Sequence, residues 1–137
     1  PNVLHYSGHS TKDGLCLRNE NTGKTQMLKN DQLRNIFHNR SEYLRLVFLN
    51  SCYSAKQSRI ISKEGIYVLG LKDEIENVTA RDFAERFYFG FNAQAGAIQI
   101  EDVIYQGCHN FYMSFPDCSH LISLWKDGKE INFFNIK

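Results

Sequence analysis

The chain has 137 residues, 42% of them hydrophobic and 13% aromatic, which is the size of one ordinary domain with enough apolar material to close one core. Sixteen Lys and Arg against fifteen Asp and Glu leave a net charge of +1, and no basic run is long enough for a nucleic-acid or anionic-membrane footprint, so partners chosen by bulk charge are excluded. No stretch approaches the ~20 consecutive apolar residues of a membrane span, and the opening PNVLHYSGHS has neither the basic start nor the apolar core of a secretion signal. Cys16, Cys52, Cys108 and Cys118 are spaced by 36, 56 and 10, matching neither a zinc ribbon nor a compact disulfide framework. Reduced thiols in the cytoplasm, with no cofactor, are the expectation.

In chain order, Val3, Leu4 and Tyr6 form an apolar run ending at Gly8, predicting a buried strand over residues 2 to 7 that leaves His9 at its exit. There is no starting Met, and an upstream segment is therefore expected. DGLCLR (13 to 18) and TQML (25 to 28) flank the polar NENTGK and predict a hairpin off the main sheet. Asn30 or Asp31 caps a helix carrying Leu33, Ile36 and Phe37 on one inward face, ending near Asn39. LRLVFLN (44 to 50) and IYVLGL (66 to 71) are mostly apolar, as interior strands of a parallel sheet are when both faces are covered. The residues between them suffice for a crossover helix. Thr79 and Asp82 open a helix with Phe83, Ala84, Phe87, Tyr88 and Phe91 at helical spacing, and Ile100, Val103, Ile104, Cys108, Phe111 and Tyr112 repeat that period until Pro116. LISLWK and EINFFN around Asp127-Gly128 predict a closing hairpin. With no repeat or linker, the chain reads as a single α/β domain over residues 1 to 137.

In an open parallel sheet, functional groups gather beyond the carboxyl ends of the strands. HYSGHS delivers His9 to one such end and FLNSCYS delivers Cys52 to another. Neighbouring strands run about 5 Å apart, so an imidazole and a thiol there suit a cysteine–histidine dyad. Cys52 is also expected at the start of a helix, where free N–H groups favour a thiolate. The remaining candidates have blander readings. His5 is taken as a core histidine, while Cys16 and Cys108 are taken as packing residues. Cys108-His109 with Cys118 and His120 is an awkward zinc set, because adjacent helical residues point ~100° apart.

These residues resemble the caspase-like cysteine peptidases of clan CD, and within them the bacterial CHAT domains often attached to tetratricopeptide repeats. HYSGHS is similar to that family's histidine motif and VFLNSCYSA to its cysteine motif. VLGLKDEIENVTARDFAERFY resembles the strand, acidic loop and helix that follow, with the helix over residues 98 to 111 and SLWKDGKEINFF in the family's order. The resemblance covers essentially the whole chain and lacks the family's N-terminal strands. It implies a caspase-like three-layer fold with a mostly parallel central sheet. It also implies a cytoplasmic cysteine endopeptidase acting on proteins or peptides, the effector part of a larger bacterial regulatory or defence protein.

Residue by residue, the resemblance makes Cys52 the nucleophile and His9 the proton donor to the leaving amine, with the backbone N–H groups of Cys52 and Ser10 holding the oxyanion. Relatives often carry Gly where Ser10 stands. Metacaspases have Asp where this chain has Asn50, and the arginines of animal caspases have no evident counterpart. Asn50, Asp73 and Glu74 are the candidates for lining the substrate cleft, the two acids being able to attract a basic side chain. The implied partners are a substrate and a regulatory domain or upstream segment, with no nucleic acid and no membrane. Some members of the family have lost activity, so the alternative is a non-catalytic protein-interaction domain.

Overall fold

The structure is a computed structural model and describes residues 3–72, 77–92 and 99–132. Among the described residues, eight strands and four helices follow in the order β1 (Val3–Ser7), β2 (Ser10–Thr11), β3 (Gly14–Arg18), β4 (Thr25–Lys29), α1 (Asn30–Phe37), β5 (Leu46–Asn50), α2 (Ala55–Ser62), β6 (Tyr67–Leu71), α3 (Asn77–Asn92), α4 (Ile100–Ser114), β7 (Ile122–Lys126) and β8 (Lys129–Ile131). A 3-10 turn, Pro116–Leu121, precedes β7. The main sheet runs β1-β5-β6-β7-β8, and β2, β3 and β4 form a separate antiparallel sheet. β1, β5 and β6 are parallel, whereas β7 and β8 return antiparallel. The protein is thus α/β, with a mixed, mostly parallel sheet at its centre.

Helices cover both faces of that sheet. Leu46 and Phe48 of β5 join Leu69 and Leu71 of β6, Phe83 and Phe87 of α3, and Ile104, Cys108 and Phe111 of α4 in one core cluster. Val47, Leu49 and Val68 point the other way, to Leu33 and Phe37 of α1 and Ile61 of α2. Alternate residues of β5 are therefore buried on opposite sides, which explains why its sequence is continuously apolar. Burial of this kind contributes roughly 25 cal/mol per Å² of apolar surface removed from water.

Two glycines allow the layers to approach. A Cβ at Gly107 of α4 would lie within 2.9 Å of the Phe87 ring, and one at Gly70 of β6 within 2.9 Å of Ser54 Oγ, nearer still to Ser58 Oγ. Ser54, Ser58 and Ser62, four residues apart, are fully buried, so α2 presents small polar residues to the sheet. Each hydroxyl has a partner: Ser58 Oγ donates to the Ser54 carbonyl at 2.8 Å, Ser62 Oγ donates to the Arg59 carbonyl, and Gly128 N–H donates to Ser62 Oγ.

Several expectations need correction. β1 is not a buried strand. Val3 and Tyr6 are half-buried and Leu4, His5 and Ser7 exposed, Leu4 to 44%, because among the described residues it has β5 alone as a neighbour. Ile36 is 45% exposed, since the eight-residue α1 buries only the narrow Leu33–Phe37 stripe. α3 begins at Asn77 rather than Thr79. The hairpin after residue 13 gains a third strand, β2, that was not foreseen. The end of the expected EINFFN strand, residues 133 to 135, lies outside the described residues, as does the side chain of Phe91.

Gly70→Ala is expected to destabilise the fold by about 1–3 kcal/mol, the usual range for overpacking a close contact, read as a lowered midpoint in calorimetric unfolding. An unchanged midpoint would mean that α2 can retreat from β6 without loss.

Candidate functional site

The site is set by the register of β1 on β5. Val3 pairs with Leu46 and so on to Ser7 with Asn50, in parallel. His9 and Cys52 each stand two residues beyond that last pair, so the expected neighbours at the carboxyl edge are indeed adjacent strands. Alternation also assigns the face. Val3 packs with Leu46 and Phe48 in the α3–α4 cluster, whereas Tyr6 packs with Val47 and Leu49 on the α1–α2 side. Odd-numbered β1 residues and even-numbered β5 residues therefore share the α3 side. The half-buried Cys52 packs against that same cluster.

The two segments touch directly. Ser10 Oγ donates a hydrogen bond to the Cys52 carbonyl at 2.5 Å. The His9 backbone is held in turn, because its carbonyl accepts from Cys16 N–H at 2.9 Å and from Tyr6 Oη at 2.7 Å. Gln57, fully buried in α2, donates from Nε2 to the Thr11 carbonyl at 2.7 Å and to Asn30 Oδ1 at 3.1 Å. The residues after His9 are thus latched to both α1 and α2.

On the other side, Ser54 clamps the turn that carries Cys52. Its N–H donates to the Leu71 carbonyl at 2.9 Å, its Oγ accepts from Leu71 N–H at 2.9 Å, and the same Oγ reaches the Leu49 carbonyl at 3.4 Å. The expectation that Cys52 begins a helix is corrected here. α2 starts at Ala55 with Ser54 as N-cap, and Cys52 lies in the preceding turn, because Ser54 serves the strands β5 and β6 rather than the helix N-terminus. The helix dipole falls off within its first turn and acts on the thiol only from beyond that end.

A cavity of about 470 Å³ opens at this edge, lined by His5, Ser7, Gly8, His9 and Asn50 from the strand ends and by Ala80, Arg81 and Ala84 from α3. Asn50 Nδ2 donates to the Ala80 carbonyl at 3.3 Å, tying the end of β5 to the start of α3. Cys52 is not among the described lining residues. Arg81 was missed by the sequence reading, although it sits just after Thr79 on the helix that follows the acidic loop. Ser10 is in extended strand, and it is not among the described non-glycine residues with positive φ, which are Asn39, Tyr53 and Asp127. Its conformation therefore does not call for glycine. Asp73 and Glu74 lie outside the described residues. A larger opening of about 580 Å³, between α3 and α4, is lined by Asp82, Glu85, Arg86, Asn110, Met113 and Ser114 and holds none of the expected site residues.

His5 is also corrected. It is exposed rather than in the core, with one ring face stacked on Phe48 at 4.9 Å and Nδ1 2.8 Å from Tyr88 Oη. Burial of that face lowers its pKa, and burial raises that of Tyr88. Complete burial of Cys108 likewise pushes its thiol pKa up, which suits a packing residue rather than a nucleophile. Among the described residues no helix is long and apolar enough to cross a membrane. No protein-family model and no curated protein matches the sequence.

The His5 shift sets a direction for pH dependence. The unfolded chain takes up this proton as pH falls through 6.5, before the folded protein does, so the associated stability is present above that pH and is lost below it until the lower folded value is passed. His5→Phe keeps the stacking and removes the titration. Its unfolding free energy is expected to fall less than the parent's between about pH 7.5 and about pH 5.5, followed by urea titration, and parallel curves for the two proteins would contradict this.

Proposed function

We propose that the protein is a cysteine endopeptidase of the caspase-like kind, with Cys52 as nucleophile and His9 as acid–base partner. The observation that carries this reading is the joining of the His9 and Cys52 segments at one carboxyl edge, by the in-register β1–β5 pairing and the Ser10–Cys52 hydrogen bond. Cys52 Sγ passes its proton to His9 and attacks the scissile carbonyl, and the oxyanion that forms is stabilised by the backbone N–H groups of Cys52 and Ser10. His9 gives a proton to the departing amine, leaving a thioester. Water, deprotonated by His9, then hydrolyses that thioester and returns the thiol.

The cavity beside His9 serves as the substrate cleft. Asn50 and Arg81 form part of its wall, and no carboxylate is among its described lining residues. Such a wall favours an acidic substrate side chain over a basic one in this part of the cleft. The resemblance to CHAT domains extends the reading to an effector within a larger cytoplasmic regulatory or defence protein of bacteria, controlled by an attached segment such as tetratricopeptide repeats.

The test is cleavage of a diverse peptide library by the full-length protein with its activator, alongside two variants whose folding is checked separately. Cys52→Ala is expected to abolish cleavage, and His9→Ala to lower kcat/KM by about 10²–10⁴-fold, the usual contribution of a general acid. Parental cleavage by either folded variant would break the dyad. If the activated parent cleaves nothing in the library, the non-catalytic interaction domain replaces the peptidase.

A further inference from the structure

The dyad reading concerns the main chain of Ser10, but the Ser10 side chain has a contact of its own. We propose that the Ser10 hydroxyl is a positioning residue for the dyad: by holding the Cys52 carbonyl at 2.5 Å it fixes the nucleophile's turn against the strand end that carries His9. The inference rests on the dyad reading and deepens it.

Both ends of this contact have the properties that the role needs. Ser10 is a rigid anchor. It pairs with Leu15 in the second sheet, and Leu15 is 4% exposed in the core. The carbonyl before it, that of His9, accepts two hydrogen bonds, and the carbonyl after it, that of Thr11, accepts one from the buried Gln57. The Cys52 carbonyl, by contrast, belongs to a segment that needs holding. It is part of the peptide unit joining Cys52 to Tyr53, and Tyr53 has φ 59°, a left-handed conformation that side chains with a Cβ disfavour. Such conformations persist where the surroundings over-determine them. Ser54 supplies the hold on the far side of Tyr53, through β6, and Ser10 supplies one on the near side.

Rotation of the Cys52–Tyr53 peptide would turn the Cys52 backbone, and with it the direction of Sγ relative to His9. The backbone N–H proposed for the oxyanion does not depend on the hydroxyl, so side-chain variants separate the two roles. Thr keeps the hydroxyl and suits an extended strand. Val has the shape of Thr without the hydrogen bond.

The experiment compares Ser10→Thr and Ser10→Val in the full-length activated protein, on a peptide that the parent cleaves, with Cys52→Ala and His9→Ala as references. Ser10→Val is expected to lose about 10- to 10²-fold in kcat relative to Ser10→Thr, with KM nearly the same in the two variants, the scale of a small misplacement of a reacting group. If Cys52→Ala and His9→Ala lose activity while Ser10→Val matches Ser10→Thr, the dyad stands and the Ser10 inference falls. If Cys52→Ala still cleaves, the dyad reading falls first and takes the inference with it. Urea midpoints accompany each variant. Should Ser10→Val fail to fold, Ser10→Ala takes its place against Ser10→Thr with the same outcomes.

Discussion

Parallel pairing of β1 with β5 is the constraint on which the rest of the site depends. Because Ser7 is opposite Asn50, the chain leaves both strands at the same level, and His9 and Cys52 each follow two residues beyond. A slip of one residue would reverse the facing of every β1 side chain, sending His5 and His9 to the α1–α2 side and Tyr6 to the α3 side. The contacts that forbid this slip are visible. His5 stacks on Phe48 and meets Tyr88 on one face, while Tyr6 on the other donates from Oη to the carbonyls of His9 and Cys16. The same tyrosine thus guards the register and holds the strand exit.

A second constraint acts across β5 and β6. Ser54 is bonded to Leu71 in both directions and reaches back to Leu49, so the turn between β5 and α2 is closed over the strand ends instead of hanging from them. Gly70 leaves the space in which Ser54 and Ser58 sit. A larger residue at any of these positions would lift α2 from the sheet and move the turn that carries Cys52. The proposed dyad requires preorganisation of this kind, since a catalytic group must be held by its neighbours' packing and hydrogen bonds.

The sequence made the central layer legible because LVFLN and YVLGL lack alternation, and only a strand covered on both faces reads that way. The closing hairpin was legible from Asp127-Gly128, both of which have positive φ. The strand ends that carry His9 and Cys52 were legible for the same reason as the sheet: each apolar run stops at a polar turn. β2 was not, because two residues carry no period. The edge position of β1 was expected from the resemblance and not from Val3, Leu4 and Tyr6, which look alike whether one neighbour or two will cover them. Ser54 looked like part of a helix start beginning at Cys52, and its service to β6 depends on a partner seventeen residues away. The repeat of Ser54, Ser58 and Ser62 was a readable signal of close helix–sheet packing that the periodicity of large apolar residues obscured. Tyr53 in a left-handed conformation had no signal, since a tyrosine is not a residue from which positive φ is expected.

The central proposal is spatial, namely that the His9 imidazole and the Cys52 thiol face each other across one edge of the sheet. It is tested most directly by distance rather than by activity, using His9→Cys in a background where Cys16, Cys108 and Cys118 are replaced by Ala, treated with a short bifunctional thiol reagent and mapped by mass spectrometry. The account predicts one intramolecular bridge between positions 9 and 52 in the folded protein, lost on unfolding. Separate modification of both thiols with no bridge, in a protein that retains its fold, would contradict it.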